Sequence, residues 1–150
     1  MQKLRVLLVD DEDALRTVFR RVLEARGMDV VGEAANGAEA VKLYKELTAD
    51  ELTADVVLTD HKMPIMDGIE AARQIIGQGS QQPPIIIILS AYADKSLIAE
   101  AEVAGVTKWL QKGLRSRELC EQIYKIAGRE WADQKKGLIA ESVTPDPSPA

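Results

Sequence analysis

Apolar runs of strand length alternate five times with segments whose apolar residues recur at spacings of three and four. Such alternation marks βαβ units, in which each helix carries the chain back so that the next strand runs parallel to the last. An α/β fold with a helix-covered parallel sheet follows. The 150 residues, 46% of them hydrophobic, suffice for one domain with a full core and are too few for two comfortable ones.

The first run, Leu4 to Val9, precedes a helix with Leu15, Val18, Phe19, Val22 and Leu23 on one face, stopped by Gly27. A second strand, Asp29 to Ala34, leads to Asn36 and Glu39, spaced as a capping box, and to a helix bearing Val41, Tyr44 and Leu47. The third run, Val56 to Thr59, ends on Asp60. Asp67 and Glu70 repeat the Asx-x-x-Glu helix start, with Ile69, Ala72, Arg73 and Ile76 following at helical spacing. The fourth strand, Ile85 to Leu89, is β-branched nearly throughout, so both faces are expected to be buried, and Ser90 stands at its carboxyl end. A fourth helix, Asp94 to Ala104, ends at Gly105. A short fifth strand, Lys108 to Gln111, precedes a fifth helix with Ser116 as its expected N-cap.

That last helix carries two adjacent stripes: Leu119, Ile123 and Ile126 on one, Cys120, Tyr124, Ala127 and Trp131 on the other. A band this wide exceeds what a lone surface helix needs, so part of it is expected to meet a partner. The domain is placed at residues 1–130, with 131–150 an extension of the fifth helix and a Pro-rich linker or tail containing Pro145, Pro147 and Pro149. The pentapeptide Glu-Leu-Thr-Ala-Asp occurs twice in succession, at 46–50 and 51–55. It reads as a short duplication lengthening the second helix or the loop after it, with a regulatory insert as the sharper alternative.

A net charge of −5 argues against this stretch gripping nucleic acid itself. Cys120 is the only cysteine, so no internal disulfide can form, and neither an amino-terminal apolar leader nor an 18-residue apolar run occurs. A cytoplasmic protein with no membrane association is expected.

Asp10 and Asp11 end the first strand and Asp60 ends the third. If those strands are neighbours, three carboxylates converge at the carboxyl edge of the sheet, where open α/β folds place their ligands. Like charges so close need raised pKa values or a bound cation, and a hard, oxygen-seeking ion such as Mg²⁺ suits them, with Mn²⁺ as an alternative. That combination points to phosphoryl chemistry.

Over about Leu4 to Ala127 the chain resembles the receiver domain of two-component response regulators. The likeness rests on Val-Asp-Asp-Glu at 9–12, Thr-Asp-His-Lys-Met-Pro-Ile-Met-Asp-Gly at 59–68, Leu-Ser-Ala at 89–91 and Gly-Val-Thr-Lys-Trp-Leu-Gln-Lys at 105–112. It implies a flavodoxin-like doubly wound five-stranded parallel sheet of order 2-1-3-4-5 with five helices. It further implies that Asp60 accepts a phosphoryl group from a histidine kinase or histidine phosphotransfer protein. Asp11 would bind Mg²⁺ directly, Asp10 directly or through water, and Asp60 and the Lys62 backbone carbonyl would complete the protein ligands. Lys112 would pair with the incoming group, Ser90 would donate to it, and Trp109 would be the switch aromatic. No enzyme activity is implied beyond self-phosphotransfer and slow autodephosphorylation.

The stretch Val30 to Gly37, and Gly113 where the family often has a cis proline, resemble the subfamily that precedes helix-turn-helix DNA-binding domains. DNA contact would then require an output domain absent from these 150 residues, the alternative being a stand-alone phosphorelay protein. A phosphorylation-dependent homodimer through helix four, strand five and helix five is also expected. Lys62 and Tyr92, two residues beyond Asp60 and Ser90, would obstruct the approach of water and lengthen the phosphorylated lifetime. A haloacid-dehalogenase-type phosphatase would need a second Asp where Lys62 stands. A flavodoxin would need ring-stacking partners that one Phe, two Trp and three Tyr scarcely offer. An interaction module that is never phosphorylated is opposed by the intact acid set, and His61 lacks a second soft ligand for a metal role.

Overall fold

The computed structural model describes residues 3–79, 82–91, 94–106 and 108–128. The expected extension and tail, with Trp131, lie outside these residues. Among the described residues, five strands and five helices alternate: β1 (Arg5–Val9), α1 (Asp13–Ala25), β2 (Asp29–Ala34), α2 (Gly37–Ala49), β3 (Val56–Asp60), α3 (Gly68–Ile76), β4 (Ile85–Ser90), α4 (Lys95–Val103), β5 (Lys108–Gln111) and α5 (Ser116–Ile126). The strands form one parallel sheet of order β2-β1-β3-β4-β5.

The two-residue period of the strands divides the core in two. Leu7, Val9, Val57, Ile86 and Ile88 face a layer of α2, α3 and α4. Leu8, Val56, Leu58, Ile87 and Leu89 face α1 and α5. β4 is buried on both sides from Ile86 to Leu89, as its β-branched sequence demands. Each such fully buried side chain contributes roughly 1.5–3 kcal/mol relative to an exposed one.

The helix starts follow local chemistry. Asn36 accepts from the Glu39 N–H while Glu39 reaches back to the Ala35 N–H, both at about 3 Å. Asp67 accepts from the Glu70 N–H and Asp94 from the Leu97 N–H, each at 2.8 Å. Ser116, however, is the first residue of α5, and the N-cap is Arg115, with no side-chain bond. On α1, Val18 is 53% exposed, because the helix turns only the Phe19–Leu23 side of its stripe to the sheet. On α3 the buried face is Ile69, Ala71, Ala72 and Ile75, so Arg73 points outward. The face is rotated by part of a turn from the one the spacing suggests.

The second stripe of α5 is spent inside the domain. Cys120 and Tyr124 are 2% exposed, and the Tyr124 hydroxyl donates to the Arg26 carbonyl at the end of α1. As far as Tyr124, the width of the band reflects two intramolecular neighbours, the sheet and α1. Burial pushes the Cys120 thiol up to about 11, which leaves it a packing residue.

The repeated pentapeptide splits between two structures. Its first copy forms the last turn of α2, and its second begins with Glu51 at φ +61° and leads into β3. The Leu52 N–H bonds to Leu47 O and the Glu51 N–H to Thr48 O, closing the helix in a Schellman motif.

Candidate functional site

Because all strands are parallel, Asp10, Asp60, Ser90 and Lys112 follow or end β1, β3, β4 and β5 along one edge. The Lys112 N–H bonds to Ser90 O across β4 and β5 at 2.9 Å. Asp60, Ser90 and Lys112 border a cleft of about 650 Å³ whose lining also includes Asp11 and Lys62.

At its floor, one carboxylate oxygen from each of Asp10, Asp11 and Asp60 lies within 4.8 Å of the others. Asp10 is 1% exposed, whereas Asp11 is open to the cleft. Asp10 Oδ1 accepts from the Glu12 N–H at 2.9 Å, but its buried Oδ2 has no hydrogen-bond partner among the described residues. Burial raises the Asp10 carboxyl above the usual carboxylate range, and Asp60 and Asp11 push it the same way against the Glu12 N–H and Lys112. Three hard oxygen donors, one of them buried and unsatisfied, fit a divalent cation.

Asp60 is fixed from two sides. Its Oδ1 accepts from the His61 N–H at 2.8 Å, and its Oδ2 lies 3.0 Å from Lys112 Nζ. Burial works against the Lys112 charge, but the hydrogen bond and attraction to Asp60 outweigh it and raise the ammonium above its ordinary value. The following loop is pinned at its far end: the Gly68 N–H donates to His61 O, and the Gly37 N–H donates to Met66 O. Gly68 is obligatory, since a Cβ there would collide with Asp60 O. Gly113, after Lys112, has φ +98°, which a proline ring locked near −65° does not allow.

Of the expected site residues, Asp10, Asp11, Asp60, Ser90 and Lys112 are brought together. Lys62 is exposed at the cleft, and Tyr92 lies outside the described residues. Trp109 is half-buried against the layer of α2, α3 and α4, its Nε1 without a hydrogen-bond partner among the described residues. Sequence reasoning missed Thr59, whose hydroxyl donates to Asp60 O, and Arg16, whose guanidinium donates to Asp10 O. Arg16 carried only the general signal of a basic residue one turn into a helix.

Residues 6–124 match the family described as the response regulator receiver domain. The chain belongs to that family. It is 34% identical over 123 residues to the chemotaxis protein CheY of Thermotoga maritima, covering 82% of this chain and 97% of that one. It is 38% identical over 121 residues to the transcriptional regulatory protein LiaR of Bacillus subtilis, covering 80% of this chain and 54% of that one. The signal receiver domain of the response regulator NarL from Mycobacterium tuberculosis superposes with a TM-score of 0.74 at 29% identity, covering 85% of this chain and 98% of that one. The doubly wound order 2-1-3-4-5 is thus the family's, and the acidic pocket of Asp10, Asp11 and Asp60 is where receiver domains bind Mg²⁺. No helix among the described residues is long and apolar enough to cross a membrane.

Proposed function

We propose that the chain is a phosphorylation-dependent switch that takes a phosphoryl group from a phosphohistidine onto Asp60. The observation that carries this is the Lys112–Asp60 contact of 3.0 Å opposite the unsatisfied Asp10 Oδ2. An Asp60 oxygen forms the new O–P bond while the P–N bond of the donor imidazole breaks and that nitrogen takes up a proton. Asp60 is held ready by the His61 N–H and Lys112, so attack needs little reorganisation. Lys112 then follows the charge from carboxylate to phosphoryl oxygens, and Ser90 donates to them. Asp10, Asp11, Asp60 and the Lys62 carbonyl would hold Mg²⁺, which when bound would supply charge neutralisation for the transferring group.

Two solved relatives support the reading. The CheX–CheY complex from Borrelia burgdorferi carries BeF₃ and Mg²⁺ (25% identity, TM-score 0.72). The Ssk1 receiver of Saccharomyces cerevisiae is bound to the histidine phosphotransfer protein Ypd1 (27% identity, TM-score 0.69). A histidine kinase or such a transfer protein is the donor we propose, and the chain's own activity is limited to self-phosphotransfer and slow autodephosphorylation.

For output, the likeness to LiaR and NarL favours a transcription regulator, with DNA contacted by another domain; coverage of 97% of CheY favours a stand-alone relay. The reading frame beyond Ala150 decides between them. The chemistry is tested with acetyl phosphate: intact mass should show one added phosphoryl group only with Mg²⁺ present, and none in Asp60→Ala. Labelling of that variant at the wild-type level would move the acceptor elsewhere.

A further inference from the structure

Arg16 lies in the second turn of α1, its side chain only 16% exposed, and its guanidinium spans three elements. Nη1 donates to the Asp10 carbonyl at 2.6 Å, Nε to Glu33 Oε1 on β2 at 3.2 Å, and Nη2 to Asp13 Oδ1 at 2.7 Å. Glu33 is steadied in turn by Arg20, whose Nε lies 3.3 Å from Oε2, an ion pair in distance without hydrogen-bond alignment.

The Asp10 carbonyl belongs to the same rigid plane as the Asp11 N–H. Fixing that oxygen fixes the whole peptide unit between the two acids, and with it the directions in which both side chains leave the backbone. Inside the turn the Glu12 N–H already holds Asp10 Oδ1. The guanidinium is a brace from outside the turn, with the planar fork geometry that a lysine lacks.

We propose that Arg16 is a positioning residue for the divalent cation, setting the aim of Asp10 and Asp11 through their shared peptide plane, with Glu33 acting only by holding Arg16. The proposal rests on the acid cluster being the metal site. Charge and geometry make opposite forecasts. A guanidinium this close repels a cation, so removing it for electrostatic reasons alone tightens metal binding, whereas removing a brace loosens it.

The experiment is calorimetric titration of the full chain with MgCl₂ at fixed ionic strength, for wild type, Arg16→Met, Arg16→Lys, Glu33→Gln and the Arg16→Met/Glu33→Gln double variant. Hydrogen exchange of the Glu12 amide in EDTA is a second, metal-free readout. Both Arg16 variants should bind Mg²⁺ about tenfold more weakly. Glu33→Gln should lose less, and the double variant no more than Arg16→Met. Glu12 exchange should quicken in all four variants. Unchanged or tighter binding by Arg16→Met, or wild-type behaviour of Arg16→Lys, overturns the proposal. If Arg16→Met fails to fold, Arg16→Lys and Glu33→Gln decide the matter in its place, since neither removes the packing of the stem. A wild-type protein that binds no Mg²⁺ defeats the metal reading instead, and the exchange rates still judge the brace.

Discussion

Asp10 couples the site to pH. Its folded pKa stands above its ordinary value of 3.8, so the folded chain holds a proton that the unfolded chain releases. The stabilisation is complete below that value and lost as pH rises through the folded pKa, so above it the ionised group is a standing cost without a cation. Asp10→Asn should therefore raise unfolding stability in EDTA by about 1 kcal/mol, and should abolish the further rise that Mg²⁺ gives the wild type. Urea unfolding with and without Mg²⁺ measures both; a variant less stable than wild type in EDTA would show that Oδ2 is not the strained atom. Lys112 behaves in the opposite pH range: its ion pair is fully present below its ordinary value of 10.5 and lost as pH rises through the raised one. Lys62 and Tyr92 carry a kinetic expectation. Replacing both with small polar residues should speed loss of the phosphoryl group, followed by mass after removal of acetyl phosphate, and an unchanged rate would defeat the obstruction argument.

At the scale of elements, the turn closing α2 contains a correctable strain. Glu51 occupies the left-handed C′ position with φ +61°, where glycine is the unstrained choice. Glu51→Gly should stabilise the domain by about 1 kcal/mol, read as a higher urea midpoint at constant slope. Elements also differ in how far their sequence announces them. Asn36 and Asp67 each bond to an amide three residues on, a distance the sequence itself contains, and both expected caps formed, whereas the one expected at Ser116 did not. The burial of β4 was legible in its β-branched run, whereas strand order and the gathering of acids, serine and lysine came with the resemblance to the receiver family that the order of the motifs carries. The phase of α3 was not, since shifting a short stripe between Ala72/Arg73 and Ala71/Ala72 hardly changes the pattern while turning Arg73 outward. Nor was the partner of Tyr124, because α1 and α5 are 98 residues apart where the hydroxyl meets Arg26 O. Arg16 shared that fate in part: its bond to Glu33 exists only once β1 and β2 lie side by side.

For the whole molecule, the burial of Cys120 and Tyr124 changes what self-association can rest on. The outer side of α5 offers Gln122, Lys125 and the Arg117–Glu121 pair at 3.2 Å, so any copy-to-copy contact there is polar, and exposed ion pairs add about 0–1 kcal/mol each. On the proposed function, phosphorylation would act at Ser90 and Lys112 and would reach this face by way of Trp109 on β5, with a coupling commonly of ~1–3 kcal/mol. We therefore expect weak dimerisation through α4, β5 and α5 on adding beryllofluoride, seen by sedimentation. Purely monomeric behaviour at ~100 μM, far above a micromolar dissociation constant, would sink it.

The duplicated pentapeptide, finally, lies where parallel strands begin, while every residue of the acid cluster lies where they end. Asp55 ties the entry of β3 to β1, its carboxylate taking the Arg5 N–H at 2.8 Å and its own N–H reaching Arg5 O. Whatever precedes that double latch can grow or shrink without its length being felt at Asp60. The molecule thus has a working rim and a spare one, and a fluorophore or reporter spliced into 50–53 would watch the switch from the side that takes no part in it.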